Sequence, residues 1–227
     1  MTIISDEGEE VVLASSPCFL HELGADGSPR VDPVQARDVA NWRKAERQRL
    51  LEQRKAFTDE YRSEQADAIA RSLDGILASM PSVTLSVYWP IRSELNTRPL
   101  IETLSGRGLK VALPILVAVK RPLLFRAFEP GDQLAKGPFG LSEPSSDKAA
   151  LEPDIIFAPL AAFDRKGYRL GYGGGLYDAT LNALRAKHPV TAIGVAYAVQ
   201  EADSIPIEDH DQKLDFIVTE RETIRCA

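Results

Sequence analysis

Apolar residues recur at helical spacing at Ala66, Ile69, Ala70, Leu73, Ile76 and Leu77. This pattern predicts an amphipathic helix that starts at Thr58, a residue able to cap the first free N–H groups. Pro81 is expected to stop it. Upstream, Val34 to about Lys55 is rich in Ala, Arg, Glu, Gln and Leu, with no glycine or proline after Pro33, and a further helix is expected there. Beyond Pro81 the period changes. VTLSVYW (83–89) is β-branched and aromatic and predicts a strand. LKVAL (109–113), LLFRAF (123–128), VTAIGVAY (190–197) and LDFIV (214–218) read the same way, LDFIV as the last strand. DIIFAP (154–159) is a nearly unbroken apolar run, as expected of a strand buried on both faces. Helices are expected from Asn96 or Thr97 to about Arg107, ended by Gly108, and from Leu176 to Lys187.

Strands that alternate with helices predict a three-layer α/β/α fold with a largely parallel sheet. Residues 1–32, punctuated by Gly24, Gly27, Ser28 and Pro29, read as an N-terminal arm, and 33–227 as a single α/β domain. The segment 129–153 is rich in glycine and proline and reads as loop. Ligands of such folds bind where loops leave the carboxyl ends of strands. The loop after DIIFAP leads into GYGGGLYD (171–178).

Composition narrows the function classes. A length of 227 residues suits one domain with an added arm. The net charge of −6 opposes general binding to nucleic-acid phosphates, yet leaves room for a local cationic cluster around a small anion. Cys18 and Cys226 form no CxxC pair, so a zinc site is not expected, and two free thiols suit a reducing cytoplasm. The start carries Asp6, Glu7, Glu9 and Glu10 in place of a basic n-region, which is wrong for a secretory signal. No apolar run is long enough to span a membrane, so a cytoplasmic protein without a membrane partner is expected.

Gly171, Gly173, Gly174 and Gly175 occupy four of five positions. A tight turn with positive φ is one reading. A dinucleotide fingerprint fails, because Leu176 stands where the last glycine belongs; a Walker loop fails for want of a following Lys-Ser or Lys-Thr. The remaining reading is a phosphate cradle, with bare backbone N–H groups and the start of the next helix facing an anion. Arg169 before the glycines and Asp178 after them suit a nucleotide phosphate with Mg²⁺. Asp178 equally suits a plain acid at a helix N-terminus. Lys44, Arg47 and Arg54 fall within roughly 80° on one helix face. That face could meet a triphosphate or simply water. His21, His188 and His210 lack metal-ligand spacing, and no GxSxG elbow is present.

FAPLAAFDRKGYRLGYGGGLYDATL (157–181) resembles the signature region of the 5-formyltetrahydrofolate cyclo-ligases. WPIRSELNTRPLI (89–101), IPIEDHDQKLDFIVTE (205–220) and the basic residues Lys44, Arg47 and Arg54 agree in order, over about residues 40–220. Two positions depart from the family pattern: Leu176 replaces an aromatic, and Ala179 stands where arginine is frequent. The resemblance implies a fold similar to sugar-phosphate isomerases and CoA-transferases. It implies an ATP-driven cyclisation to 5,10-methenyltetrahydrofolate, in which the N5-formyl oxygen takes the γ-phosphoryl group and N10 closes the ring as phosphate leaves. It places ATP on Lys44, Arg47, Arg54, Arg169, Gly171, Gly173, Gly174, Gly175 and Tyr177, and Mg²⁺ on Asp178. Arg169 and Asp178 would be catalytic. The folate would meet Trp89, Glu94, Tyr172, Gly174 and Leu176. A folate- or nucleotide-binding protein without turnover is the second reading, and an ATP-independent isomerase or CoA-transferase activity the third. A monomer or homodimer is expected, with small molecules as partners and no nucleic acid.

Overall fold

The structure, a computed structural model, describes residues 2–4, 10–12, 33–77, 83–137 and 139–226. The chain divides into two compact units, Met1–Trp42 and Arg43–Ala227. In the first, β1 (Thr2–Ile4) pairs antiparallel with β2 (Glu10–Val12). The rest of the expected arm, 1–32, lies outside the described residues, as do Cys18 and the expected helix stop at Pro81. Helix α1 (Pro33–Lys55) begins in the first unit and continues into the second.

In the second unit the helical period yields α2 (Asp59–Leu77), α3 (Arg98–Gly106) and α4 (Leu176–Arg185). Thr58 caps α2, its Oγ1 accepting from Tyr61 N at 3.2 Å. At the start of α3 the cap falls to Asn96, whose Oδ1 accepts from Arg98 N at 3.3 Å. The Thr97 hydroxyl is spent elsewhere, donating to the Tyr88 carbonyl at 2.7 Å.

The strands are β3 (Thr84–Ser86), β4 (Lys110–Ile115), β5 (Leu124–Ala127), β6 (Leu134–Lys136), β7 (Ser142–Pro144), β8 (Ile155–Pro159), β9 (Ala162–Phe163), β10 (Arg169–Leu170), β11 (Thr191–Val195), β12 (Phe216–Val218) and β13 (Thr223–Arg225). Seven form one sheet in the order β13-β12-β11-β8-β3-β4-β5. The inner pairs β12/β11, β11/β8, β8/β3 and β3/β4 are parallel; β13 and β5 add antiparallel edges.

Alternation along the strands sorts side chains into two cores. Ile155, Phe157, Val111, Leu113, Ile193 and Val195 face α2 and α3, where Ile69, Leu73, Ile101 and Leu104 pack. Ile156, Ala158, Ala112, Ala192 and Ile217 face α4 through Leu181 and Leu184. The three-layer α/β/α expectation therefore holds, with a mostly parallel sheet. The sequence reading needs three corrections. LDFIV is not the last strand, because β13 follows it. The segment 129–153 is not all loop, because β6 and β7 pair within it. The strand expected over 83–89 is only β3; Val87 N still donates to the Ala112 carbonyl at 3.0 Å, and Tyr88 and Trp89 beyond it line a cleft.

Candidate active site

The glycine stretch forms the turn between β10 and α4. Gly173 (φ +95°) and Gly175 (φ +61°) lie in the left-handed region that a side chain disfavours. Gly175 is the N-cap of α4 and caps it by backbone alone. The turn reading thus accounts for these two glycines. It does not account for Gly171, whose φ is ordinary and whose missing Cβ would meet no atom within 4 Å. Open space on a bare backbone is what an anion cradle requires.

Beside the turn lies a cleft of about 750 Å³. Of the candidate residues, Lys44, Arg47, Arg54, Trp89, Glu94, Tyr172, Leu176 and Tyr177 line it. Arg47 Nε donates to the Gly171 carbonyl at 2.6 Å, which ties α1 to the turn. Arg54, 3% exposed, donates to Ser93 Oγ at 3.1 Å and to the Tyr172 hydroxyl at 2.9 Å. Lys44 is exposed at the same wall. Trp89 lies under the Arg98 guanidinium, 4.7 Å from its ring centre, and edge-on to Phe128. Pro114, Leu116, Leu123 and Leu141 give the cleft an apolar side.

Glu94 is buried and accepts from Ile91 N at 2.8 Å. Burial pushes its carboxyl above the usual range; the Ile91 amide, Tyr172 and the charges of Arg54 and Arg92 work the other way. Burial and the Glu94 charge push the Tyr172 phenol up. Tyr177 is likewise pushed up, chiefly by burial.

Arg169, Asp178 and the four glycines are not among the residues lining the cleft. Arg169 is buried and donates to Asp178 Oδ1 at 3.0 Å and to the Gln212 carbonyl at 2.7 Å. Gln212 N also donates to Asp178 Oδ1 at 3.0 Å. Arg169 is therefore held within the fold, where the resemblance had it meeting a phosphate. Among the described residues both hydrogen bonds of Asp178 fall on Oδ1, and its side chain is 19% exposed. One carboxylate oxygen thus remains for a hard cation that keeps most of its own waters, so the residue fits Mg²⁺.

Sequence reasoning missed Arg43. It forms a bidentate pair with Asp211 at 2.6 and 2.9 Å and donates to the Pro206 carbonyl at 3.1 Å. Burial opposes the Asp211 charge, yet Arg43 and the Glu208 amide hold its carboxyl below the usual range. Donor atoms of Glu208, His210 and Asp211 lie within 4.8 Å of one another, and Arg43 pairs with both carboxylates. A signal existed. Arg43, Arg47, Leu50 and Arg54 recur at spacings of four, three and four and share a stripe of roughly 60°, whereas Lys44 lies about 100° from Arg43.

Comparison with known proteins shows which family the chain resembles. A model of the 5-formyltetrahydrofolate cyclo-ligase family matches residues 39–220. The 5-formyltetrahydrofolate cyclo-ligase of Escherichia coli K12 is 32% identical over 175 residues, covering 75% of this chain and 96% of its own. That of Mycolicibacterium smegmatis is 33% identical over 183 residues, covering 77% and 92%. The solved structure of Aquifex aeolicus 5,10-methenyltetrahydrofolate synthetase aligns with a TM-score of 0.65 at 27% identity, over 81% of this chain and 92% of its own. The family match takes in the cationic half of α1, the whole parallel sheet and the glycine turn, and the chain belongs to the 5-formyltetrahydrofolate cyclo-ligase family.

Proposed function

We propose that the protein catalyses the ATP-dependent cyclisation of 5-formyltetrahydrofolate to 5,10-methenyltetrahydrofolate, releasing ADP and phosphate. One observation carries the reading beyond family membership. Segments far apart in sequence bring three cations of α1, the buried acid Glu94 and an apolar wall to one cleft beside the glycine turn. An anionic nucleotide needs the first, a pterin with ring N–H donors the second, and its flat ring the third.

The chain's own groups then divide the work. Lys44, Arg47 and Arg54 meet the phosphates, and the bare backbone at Gly171 lets an anion approach. Arg54 also fixes the Tyr172 ring over the cleft, through the hydrogen bond to its hydroxyl and a face-on distance of 5.7 Å. Glu94 accepts from the pterin, while Trp89, Leu176 and Tyr177 pack against the folate. Positioning and charge neutralisation are what phosphoryl transfer to the formyl oxygen chiefly requires. Asp178 would hold Mg²⁺, which when bound supplies further neutralisation of phosphate charge. Arg169 acts by orienting Asp178. Among the described residues no helix is long and apolar enough to cross a membrane. The cytoplasm, where ATP and reduced folates meet, is the compartment that suits this chemistry.

The test mixes purified protein with 5-formyltetrahydrofolate and Mg-ATP and follows methenyl absorbance together with ADP. Both are expected to rise together and only when both substrates are present. Binding of both ligands without product would overturn the reading in favour of a folate- and nucleotide-binding protein. Product formed without ATP would overturn it outright.

A further inference from the structure

The connection 116–123 between β4 and β5 reaches the glycine turn at Lys120. This residue has φ +59°, a left-handed conformation that costs a side-chain-bearing residue roughly 1–2 kcal/mol. The conformation lets Lys120 N donate to the Gly174 carbonyl at 3.1 Å. A glycine at 120 would make the same backbone bond without the strain. The side chain runs beside the turn: a methyl group built on Gly175 would lie 3.9 Å from Lys120 Cγ. Lys120 is exposed and has no ion pair among the described residues. Leu116 and Leu123, at the two ends of the connection, line the cleft.

Of the other cations near the turn, Arg169 is buried on Asp178 and Gln212, whereas Lys44, Arg47 and Arg54 all come from α1. A strained residue whose backbone role glycine could fill points to a use for its side chain. We infer that Lys120 is a nucleotide-binding residue, its ammonium contacting the terminal phosphates of ATP held on the glycine turn. The inference rests on the cyclo-ligase reading and moves the charge-neutralising task assigned to Arg169 onto a different loop.

The variants Lys120→Gly and Lys120→Arg test it. Glycine removes the cation and relieves the backbone, so the melting temperature is not expected to fall. The KM for Mg-ATP is expected to rise on the order of tenfold, as for loss of one charge-assisted hydrogen bond, with the KM for 5-formyltetrahydrofolate unchanged. Lys120→Arg is expected to stay within about threefold of the wild type, because the charge is kept. An unchanged KM for ATP in Lys120→Gly, or an equal rise for both substrates, overturns the assignment. Calorimetric titration with a non-hydrolysable ATP analogue separates this failure from that of the reading beneath it. If the wild type forms no product, the cyclo-ligase reading fails alone. The analogue then decides on Lys120, and an affinity in Lys120→Gly equal to that of the wild type overturns it.

Discussion

Helix α4 and the second half of α1 both deliver residues to the cleft, and different kinds of contact hold them in place. Helix α4 buries Leu181 and Leu184 against Ile156, Ala158 and Ala192 of the sheet. In α1 from Arg43 onward, Leu50 is the one fully buried apolar side chain among the described residues, and Arg43 and Arg54 are buried on the same stripe. Apolar packing is non-directional and stabilises in proportion to the area covered. A buried arginine must be met by acceptors at fixed angles, and as a pair with its partner it adds little net stability over an apolar pair. The α4 side therefore supplies cohesion, and the α1 side supplies placement of charge. The Arg169–Asp178 pair belongs with α1 in kind, although Asp178 lies on α4.

Breaking that pair gives the largest expected effect. Arg169→Met leaves Asp178 without its cation and the Gln212 carbonyl without a donor. Urea unfolding is expected to show a loss of roughly 3–5 kcal/mol. The double variant Arg169→Met/Asp178→Leu should recover most of this stability while remaining inactive. Losses that simply add would show that the pair contributes cohesion, as Leu181 and Leu184 do, and would erase the distinction between the two sides.

The contrast sharpens when one contact of each kind is removed. Leu181→Ala and Arg43→Met are each expected to lose about 3 kcal/mol at neutral pH, the first through a cavity and the second through an uncompensated Asp211. They should differ with pH. Arg43 holds the Asp211 carboxyl low, so its contribution is present above the ordinary carboxylate pKa and is lost as pH falls through the lowered one. The deficit of Arg43→Met should therefore narrow in acid, while that of Leu181→Ala stays constant. Chemical denaturation across the acid range reads this directly; parallel deficits would place Arg43 with the apolar contacts.

The same division explains what the sequence disclosed. The period of Ala66, Ile69, Leu73 and Leu77 announces α2, because apolar packing leaves its mark in residue type. Arg43, Arg47 and Arg54 of α1 share a stripe with Leu50, but their residue type does not name what they bind. Their acceptors include backbone carbonyls of Gly171, Leu160 and Pro206, more than a hundred positions away and without any side-chain signature. Lys44 therefore looked equivalent to Arg47 and Arg54, although it is exposed and they are pinned. Glu94, Tyr172 and Leu176 were found through the family's motif, and their meeting in one cleft is beyond what spacing could give. The hairpin of β6 and β7 was hidden by Gly137 and Gly140, which mark its turn, and by Pro144, which stands in β7 itself. An arginine beside a glycine turn reads as a phosphate ligand, and nothing in the sequence marks the hydrogen bonds of Arg169 to Asp178 and the Gln212 carbonyl.

Glu94 tests whether charge at the cleft trades stability for binding. Its carboxyl is raised, so the folded state holds its proton more tightly than the unfolded state, and stability falls as pH rises from the ordinary carboxylate pKa through the raised one. Glu94→Gln is thus expected to be at least as stable as the wild type at neutral pH. Its advantage should vanish below the carboxylate range. Its KM for 5-formyltetrahydrofolate should rise on the order of tenfold, since an amide is a weaker partner than a carboxylate for the pterin N–H groups. A KM for ATP that rises equally would mean that Glu94 merely supports the cleft through Ile91 and Tyr172.

The smallest expected effect lies at Leu176, the position that departs from the family's aromatic pattern. Its side chain shares the apolar side of the cleft with Leu116, Leu123 and Leu141. In Leu176→Tyr a flat ring replaces a branched one-sided contact, and stacking on a pterin is worth about 0.5–1.5 kcal/mol beyond area. Folate affinity is therefore expected to tighten roughly threefold to tenfold, with turnover little changed, because the cations and Glu94 already place the reacting groups. Gly174 keeps the space beside this position open: a methyl group there would sit only 3.3 Å from Leu176 Cγ. If affinity falls instead, the apolar side is shaped around leucine, and the substitution belongs to the packing of this chain's own cleft.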